Sequence, residues 1–425
     1  MIEIDKILIS FTEGRVVRDL LYNDLSSYLF MYGYSIELFT PAAKVPNFME
    51  QWKQPSLNFN YLSPYLFKNR EFRTLEIRKK MISKCPKLLP VWLRVEDKLF
   101  IKPCKEMVDQ LKTLNPSLVV ITNPMQQHEM EVFKAAKRLK IPTLGVVRSW
   151  DNLYKGLRIR PDDLAVWNPI NADEAFNLMK YPKDKIHIIG STQFDPYFDQ
   201  SEVLDREKFT SKFYLDPKKP IITLATLGPF QHQYDETYLL DWLLNAINNS
   251  SIPSDSQIIC RLHPASRLEQ FLKYKNCPNV RLSYVEGYIP TLGWTMTKED
   301  VFFVGNILRH SDVVISPGST ITIETAIFDT PTIVPTFHTY QPELGERQFS
   351  QHLSTHFRRL KENDLVPIID KPEELILAIN KALNDRTWYK NQREQLVKDY
   401  IYYTDGKSTR RLANLMMELA HRTYL

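Results

Sequence analysis

Val313-Val314-Ile315-Ser316-Pro317-Gly318-Ser319-Thr320-Ile321-Thr322-Ile323-Glu324 is the stretch that decides the fold. Three β-branched residues in a row predict a short buried strand, and apolar positions from Thr320 onward predict a helix to Phe328. Between them, Pro317 and Gly318 stop the strand, and Gly318 lets the backbone turn tightly and approach a ligand. Ser319 and Thr320 then offer hydroxyls and free N–H groups at a helix start, where a phosphate is favoured. Glu324 lies about one turn further on, placed to accept from the two hydroxyls of a ribose. A plain Ser/Thr helix cap has the same composition. The position, at the end of a strand in a second α/β unit, favours the phosphate role.

Working outward, Ile221–Ala225, Gln257–Leu262, Val280–Leu282 and Thr332–Val334 are further short apolar strands, alternating with helical stretches at Tyr238–Ile247 and Val301–Arg309. The first half repeats the scheme. Strands are expected at Ile7–Phe11, Ser35–Phe39, Leu118–Ile121, Thr143–Val147, Leu164–Trp167 and His187–Ile189, with helices at Arg15–Met31 and Glu129–Leu139. Such alternation predicts parallel sheets covered on both faces. The fold class expected is α/β with two Rossmann-like domains facing each other across a cleft. Residues 1–200 form the first domain and 201–387 the second, with a linker around Gln193–Lys219; Pro372–Leu383, Trp388–Tyr400 and Ser408–Leu419 read as terminal helices. Ligands in such sheets bind beyond the carboxyl ends of the strands.

The length of 425 residues suits two domains, and 43% hydrophobic with 25% charged residues is ordinary globular composition. A net charge of +5 does not call for nucleic acid, yet admits an anionic substrate or a membrane surface. Cys85, Cys104, Cys260 and Cys277 form no CxxC pair, which predicts free, buried thiols in a reducing compartment. The start, Met1 to Lys6, does not read as a signal peptide, and no apolar run approaches the ~20 residues of a membrane span. A cytoplasmic or peripheral protein is expected. The segment 60–105 carries Arg70, Arg73, Arg78, Lys79, Lys80, Lys84 and Lys87 among Tyr65, Phe67, Phe72 and Trp92. It reads as a solvated amphipathic decoration, or as a surface for anionic headgroups or an acceptor.

Absences narrow the chemistry. The sequence has no GxxxxGK[ST], no GxGxxG, no HExxH, no GxSxG and no Asp-x-Asp triplet. His352 and His356 stand four apart without a third ligand, so a surface pair is expected and no metal is assigned. Phosphate charge must then be met by backbone amides and basic side chains.

A second constellation is Arg261-Leu262-His263-Pro264, where Pro264 turns the chain at the sheet edge. Arg261 and His263 alternate faces, and His263 is expected to donate to the leaving phosphate or touch the base. In the first unit three loops follow strands on one edge: Thr12-Glu13-Gly14, Asn123 to His128, and Arg148-Ser149-Trp150-Asp151-Asn152. A general base for an acceptor hydroxyl belongs there. Asp151 and Glu13 are the candidates, with Gly14, His128, Trp150 and Asn152 on the acceptor side; an Asp-Asn helix cap is the alternative role for Asp151-Asn152.

At these residues the sequence resembles the GT-B glycosyltransferase superfamily, and more narrowly bacterial surface-polysaccharide transferases related to CDP-glycerol glycerophosphotransferases and CMP-sialic acid or CMP-Kdo transferases. Arg261-Leu262-His263-Pro264 is similar to their His-Pro motif at the donor nucleotide, and Pro317-Gly318-Ser319-Thr320 to their motif at the donor phosphate. Ser149 to Asn152, Val166-Trp167-Asn168, Ile189-Gly190-Ser191, Phe194-Asp195 and Asp405 to Ser408 resemble stretches of the same group. Where CMP-sialic acid transferases carry paired acids before a glycine, this chain keeps only Glu13-Gly14 after Thr12. Where UDP-sugar 2-epimerases carry Asp-Ser-Gly-Gly, it has Ser316-Pro317-Gly318-Ser319. The resemblance implies that the helices of 388–425 cross back to the first domain.

The expectation is a metal-independent glycosyltransferase without a cofactor, moving a sugar or polyol phosphate from a CMP-, CDP- or UDP-linked donor to a glycan or lipid-linked acceptor. Arg261, His263, Pro317, Gly318, Ser319, Thr320 and Glu324 bind the donor. A UDP-N-acetylhexosamine 2-epimerase and a non-catalytic nucleotide-sugar binding protein are the alternatives.

Overall fold

The structure, a computed structural model, describes residues 5–65, 104–150, 156–228, 237–338 and 356–422, with a few isolated positions between them. Most of the basic segment 60–105, as well as Cys85, Asp151, Asn152 and His352, lies outside the described residues.

The chain divides into two compact units. In the first, β1 (Asp5–Ser10), β2 (Tyr34–Thr40), β3 (Leu57–Tyr61), β4 (Leu118–Ile121), β5 (Thr143–Val146), β6 (Asp163–Val166) and β7 (Ile186–Ile188) form one sheet. Its order is β3-β2-β1-β4-β5-β6-β7 with every pairing parallel. Period-two alternation sends neighbouring side chains to opposite cores. Ile7, Ile9, Leu118 and Val120 pack with Leu412, Ala413 and Met416 of the last helix, Ser408–His421. Leu8, Val119 and Ile121 pack against Leu111, Val132 and Phe133 on the other face. Each fully buried aliphatic side chain there contributes on the order of 2 kcal/mol.

The second unit holds β8 (Ile221–Ala225), β9 (Gln257–Arg261) and β10 (Val280–Ser283). A two-stranded piece, β11 (Tyr288–Ile289) and β12 (Gly293–Trp294), follows, and its tip, Ile289–Gly293, groups with the first unit. Then come β13 (Val313–Ile315), β14 (Thr332–Pro335) and β15 (Ile368–Ile369). The six-stranded sheet runs β10-β9-β8-β13-β14-β15, again all parallel. Ile222, Leu224, Ile258 and Cys260 face one core, and Ile221 and Ile259 the other, beside Phe209, Phe213 and Ile307. Both sheets are therefore buried on both sides, as the sequence predicts. Among the described residues no helix is long and apolar enough to cross a membrane.

Four local expectations are corrected. The helix expected over Arg15–Met31 is a π-turn, Val17–Leu21, and a separate helix, Leu25–Met31, because Asp24 adopts φ +55°. The stretch expected as a linker, Gln193–Lys219, contains 3-10 turns and the helix Arg206–Phe213, which buries Phe209 and Phe213. The helix expected over Thr320–Phe328 is four residues, Ile321–Glu324, running into a 3-10 turn. Of the cysteines, Cys260 is buried, but Cys104 is exposed, its Sγ capping the helix Lys105–Leu114 by accepting from Met107 N at 3.4 Å. The helix Lys390–Leu396 and the π-turn after it group with the second unit, whereas Ser408–His421 groups with the first.

Candidate active site

In the second sheet the strand order reverses between β8 and β13, so the loops after β8, β9 and β13 stand side by side at the carboxyl edge. This is where a doubly wound sheet opens a crevice.

After β13, Gly318 sits at φ +116°, a conformation that disfavours any side chain. A Cβ there would meet Phe357 only at ordinary contact distance, 3.5 Å, so the backbone angle and not the space requires glycine. Ser316 Oγ and Ser319 Oγ lie 3.0 Å apart, and Ser319 Oγ accepts from Ile321 N at 3.3 Å, which pins the turn. Among the described residues, the N–H groups of Gly318, Ser319 and Thr320 have no hydrogen-bond acceptor. A helix of four residues supplies little dipole. What the turn offers an anion is therefore three successive amides, an arrangement that suits phosphate oxygens.

After β9, His263 is half-buried and its orientation is fixed. Nδ1 accepts from Ala265 N at 3.0 Å, so in the neutral ring the proton resides on Nε2. Thr226 Oγ1 accepts from His263 N at 2.8 Å, and Trp294 meets the imidazole edge to face at 6.0 Å. Gly228, at φ +82°, closes the third side: a Cβ there would stand 2.6 Å from His263 Nδ1.

Arg261 is only 6% exposed and donates to Ser283 Oγ at 3.2 Å. Burial lowers its pKa, opposed by Asp300, Tyr197 and Glu324. Glu324 is itself buried and accepts from Tyr197 Oη at 2.7 Å. Arg261 thus lies buried beneath the edge, within electrostatic reach of Tyr197 and Glu324, while the half-buried His263 is the more accessible member of the motif. Gly228, Thr226, Tyr197 and Trp294 were not anticipated. The only sequence signal for the first two is Thr226-Leu227-Gly228-Pro229 directly after an apolar strand.

In the first unit the order reverses between β1 and β4. Glu13 and Asn123 bridge that point, Asn123 Nδ2 donating to Glu13 Oε1 at 2.7 Å. Glu13 Oε2 accepts from Arg15 Nη2 at 2.6 Å and lies 3.7 Å from Arg148 Nη1. Burial pushes the Glu13 carboxyl up, but Arg15, Arg148 and Asn123 outweigh it and the pKa is lowered. A base wants the opposite shift. Gly14 N donates to Leu292 O at 3.0 Å. His128 Nδ1 lies 3.4 Å from Thr12 Oγ1, and burial lowers its pKa, so the ring is neutral near pH 7. Trp150 is 4% exposed and its carbonyl accepts from Asn171 Nδ2 at 3.1 Å. Glu129, also unanticipated, is buried under this edge. It accepts from Ser10 Oγ at 2.5 Å, Thr122 N at 2.9 Å and Asn123 N at 3.0 Å, and burial pushes its pKa up to about 7. Among the described residues no group of three or more His, Cys, Asp or Glu is gathered to hold a metal ion.

Comparison with known proteins agrees with this build. The chain is similar to UDP-GlcNAc 2-epimerase from Neisseria meningitidis bound to UDP-GlcNAc, at TM-score 0.57 and 13% identity over 97% of this chain and 100% of that one. A glycosyltransferase from Rickettsia africae gives 0.55 and 12%, over 98% and 99%. The wall teichoic acid polymerase TagF gives 0.55 and 12%, over 99% and 90%. At such identities the likeness is one of fold, the two-unit α/β build of GT-B enzymes. No curated protein matches in sequence. Residues 158–418, more than half of the chain and the whole of the β8–β15 sheet, match the family described as CDP-Glycerol:Poly(glycerophosphate) glycerophosphotransferase. The chain is accordingly a transferase, and it belongs to the CDP-glycerol glycerophosphotransferase family.

Proposed function

We propose that the protein transfers glycerol phosphate, or a closely related activated group, from a cytidine-nucleotide donor to a hydroxyl of a cell-envelope polymer, without a metal ion. The observation that carries this is the pairing, on loops of one sheet edge that flank the β8 loop, of three amides at Gly318–Thr320, without acceptors among the described residues, and an imidazole locked with its proton on Nε2. The amides suit the donor phosphates, and His263 Nε2–H suits the oxygen that gains charge as the nucleotide leaves. Glu324, held by Tyr197, is assigned to the ribose. The family match supports the cytidine nucleotide, as does the soaking of a TagF variant with CDPG.

In the reaction, the acceptor oxygen forms a bond to the donor phosphorus and the phosphorus–oxygen bond to the nucleotide breaks. The nucleotide departs with that electron pair, and the acceptor hydroxyl loses its proton to a base. Glu13 is a poor base because its arginines stabilise the carboxylate. Two candidates remain: Asp151, which lies outside the described residues, and His128, whose pKa burial lowers.

The test is product formation from CDP-glycerol and a glycerol-phosphate primer in EDTA. Turnover is expected, and H263A and S319A should each lose most of it. Loss of activity on chelation, or conversion of UDP-N-acetylhexosamine with no acceptor, would replace this function by a metal-dependent or an epimerase one.

A further inference from the structure

A cluster of arginines at the β1/β4 edge of the first unit is not used by the donor chemistry. Arg148, just beyond β5, has its side chain 8% exposed, and Nη1 is buried with no hydrogen-bond partner among the described residues, Glu13 Oε2 standing 3.7 Å away. Among the described residues the one hydrogen bond of this guanidinium is from Nε to Asp19 Oδ2, at 3.1 Å. The nearby acceptors are occupied. Asp19 Oδ1 takes Arg18 Nε at 2.6 Å; Glu13 Oε1 takes Asn123 and Glu13 Oε2 takes Arg15. Three guanidiniums, from Arg15, Arg18 and Arg148, therefore meet two carboxylates. Arg158 adds a further positive charge close enough to act on His128. Glu129, the remaining acid, has a pKa near 7 and balances at most part of the excess.

A buried guanidinium with most of its donors idle is costly unless an anion completes it. Asp19 bridges Arg18 and Arg148 and holds both in place, while Arg15, 44% exposed, borders the solvent side. The place is also right, since ligands of such sheets collect where the strand order reverses.

We propose that Arg148 Nη1 and Arg15, with Arg18 behind them, form a second anion site that takes a phosphate-ester oxyanion of the acceptor. This identification of the ligand rests on the transferase function above; the site itself does not. On phosphate binding, Arg148 gains the acceptor it lacks, and Glu13 exchanges part of its contact with Arg15 for the incoming oxyanion.

The test is calorimetric titration of the full chain, saturated with CDP so that the second unit is occupied. The probes are inorganic phosphate, glycerol 3-phosphate and a glycerol phosphodiester. Saturable binding is expected, weakening as salt rises, and R148K and R15Q should each weaken it at least about fivefold, since lysine lacks the second Nη and glutamine the charge. Arg15 is exposed, so R15Q keeps the test valid if R148K fails to fold. Tighter binding of the diester assigns the site to a polymer acceptor, and tighter binding of inorganic phosphate to the free ion; both uphold an anion site. Absent binding, or equal affinity in wild type and both variants, overturns it. Phosphate binding without CDP binding would sink the donor assignment alone, and CDP binding without phosphate binding the anion site alone.

Discussion

Gly228 and His263 are fitted to one another: a single added carbon on Gly228 would stand 2.6 Å from the imidazole Nδ1, the atom that accepts from Ala265 N. The ring orientation therefore depends on a glycine on a different strand-end loop. G228A also meets the cost of φ +82°, ~1 kcal/mol for a residue with a side chain. We expect the variant to fold, with a modest fall in melting temperature and roughly tenfold weaker CDP binding, the loss of about one well-made hydrogen bond. Calorimetry of CDP binding measures it.

Tyr197 and Glu324 form a second such pair, at 2.7 Å and buried. Y197F removes one donor from a buried carboxylate and should destabilise the second unit by about 1–3 kcal/mol in urea unfolding. E324Q keeps an acceptor for Tyr197 and should be milder in stability. Its defect should appear in affinity for ribonucleotides over their 2′-deoxy forms.

Much of the second unit is legible in the sequence, because its strands are unmixed runs such as Ile221–Ala225 and Val313–Ile315, bounded by Pro and Gly. The edge strand Leu57-Asn58-Phe59-Asn60-Tyr61 is not, since two asparagines interrupt it. In the structure both donate to the buried carboxylate of Glu37, at 2.9 and 2.7 Å, a tertiary bond that no local pattern announces. The site divides in the same way. Gly318 and His263 are visible through Pro-Gly and His-Pro turns, whereas Tyr197, Trp294 and Arg148 reach their partners only through the fold.

Asp19 is held by Arg18 and Arg148; burial would raise its pKa, yet the two guanidiniums lower it. D19N removes the shared counter-charge and should cost the first unit about 3–5 kcal/mol, as for other broken buried pairs. Since the folded pKa is depressed, this stabilisation is present above the ordinary aspartate range and is lost as pH falls through the folded value. Thermal unfolding at pH 3–7 in wild type and D19N checks both statements.

Glu129 has the opposite sign. Its pKa is raised from 4.5 to about 7, so between those values the folded chain holds a proton that the unfolded chain has released. Its contribution to stability is full below pH 4.5 and declines toward pH 7, by at most ~1.4 kcal/mol per pH unit. Unfolding free energies at pH 5, 6, 7 and 8 should show this decline and then level off. E129Q should flatten it.

The most direct test of the donor site is a crystal soaked with CDP in the presence of EDTA. Phosphate oxygens are expected within hydrogen-bond reach of the Gly318, Ser319 and Thr320 amides, with His263 Nε2 turned toward them and no cation between. Nucleotide density away from that strand-end turn, or a metal ion bridging the phosphates, would contradict that expectation.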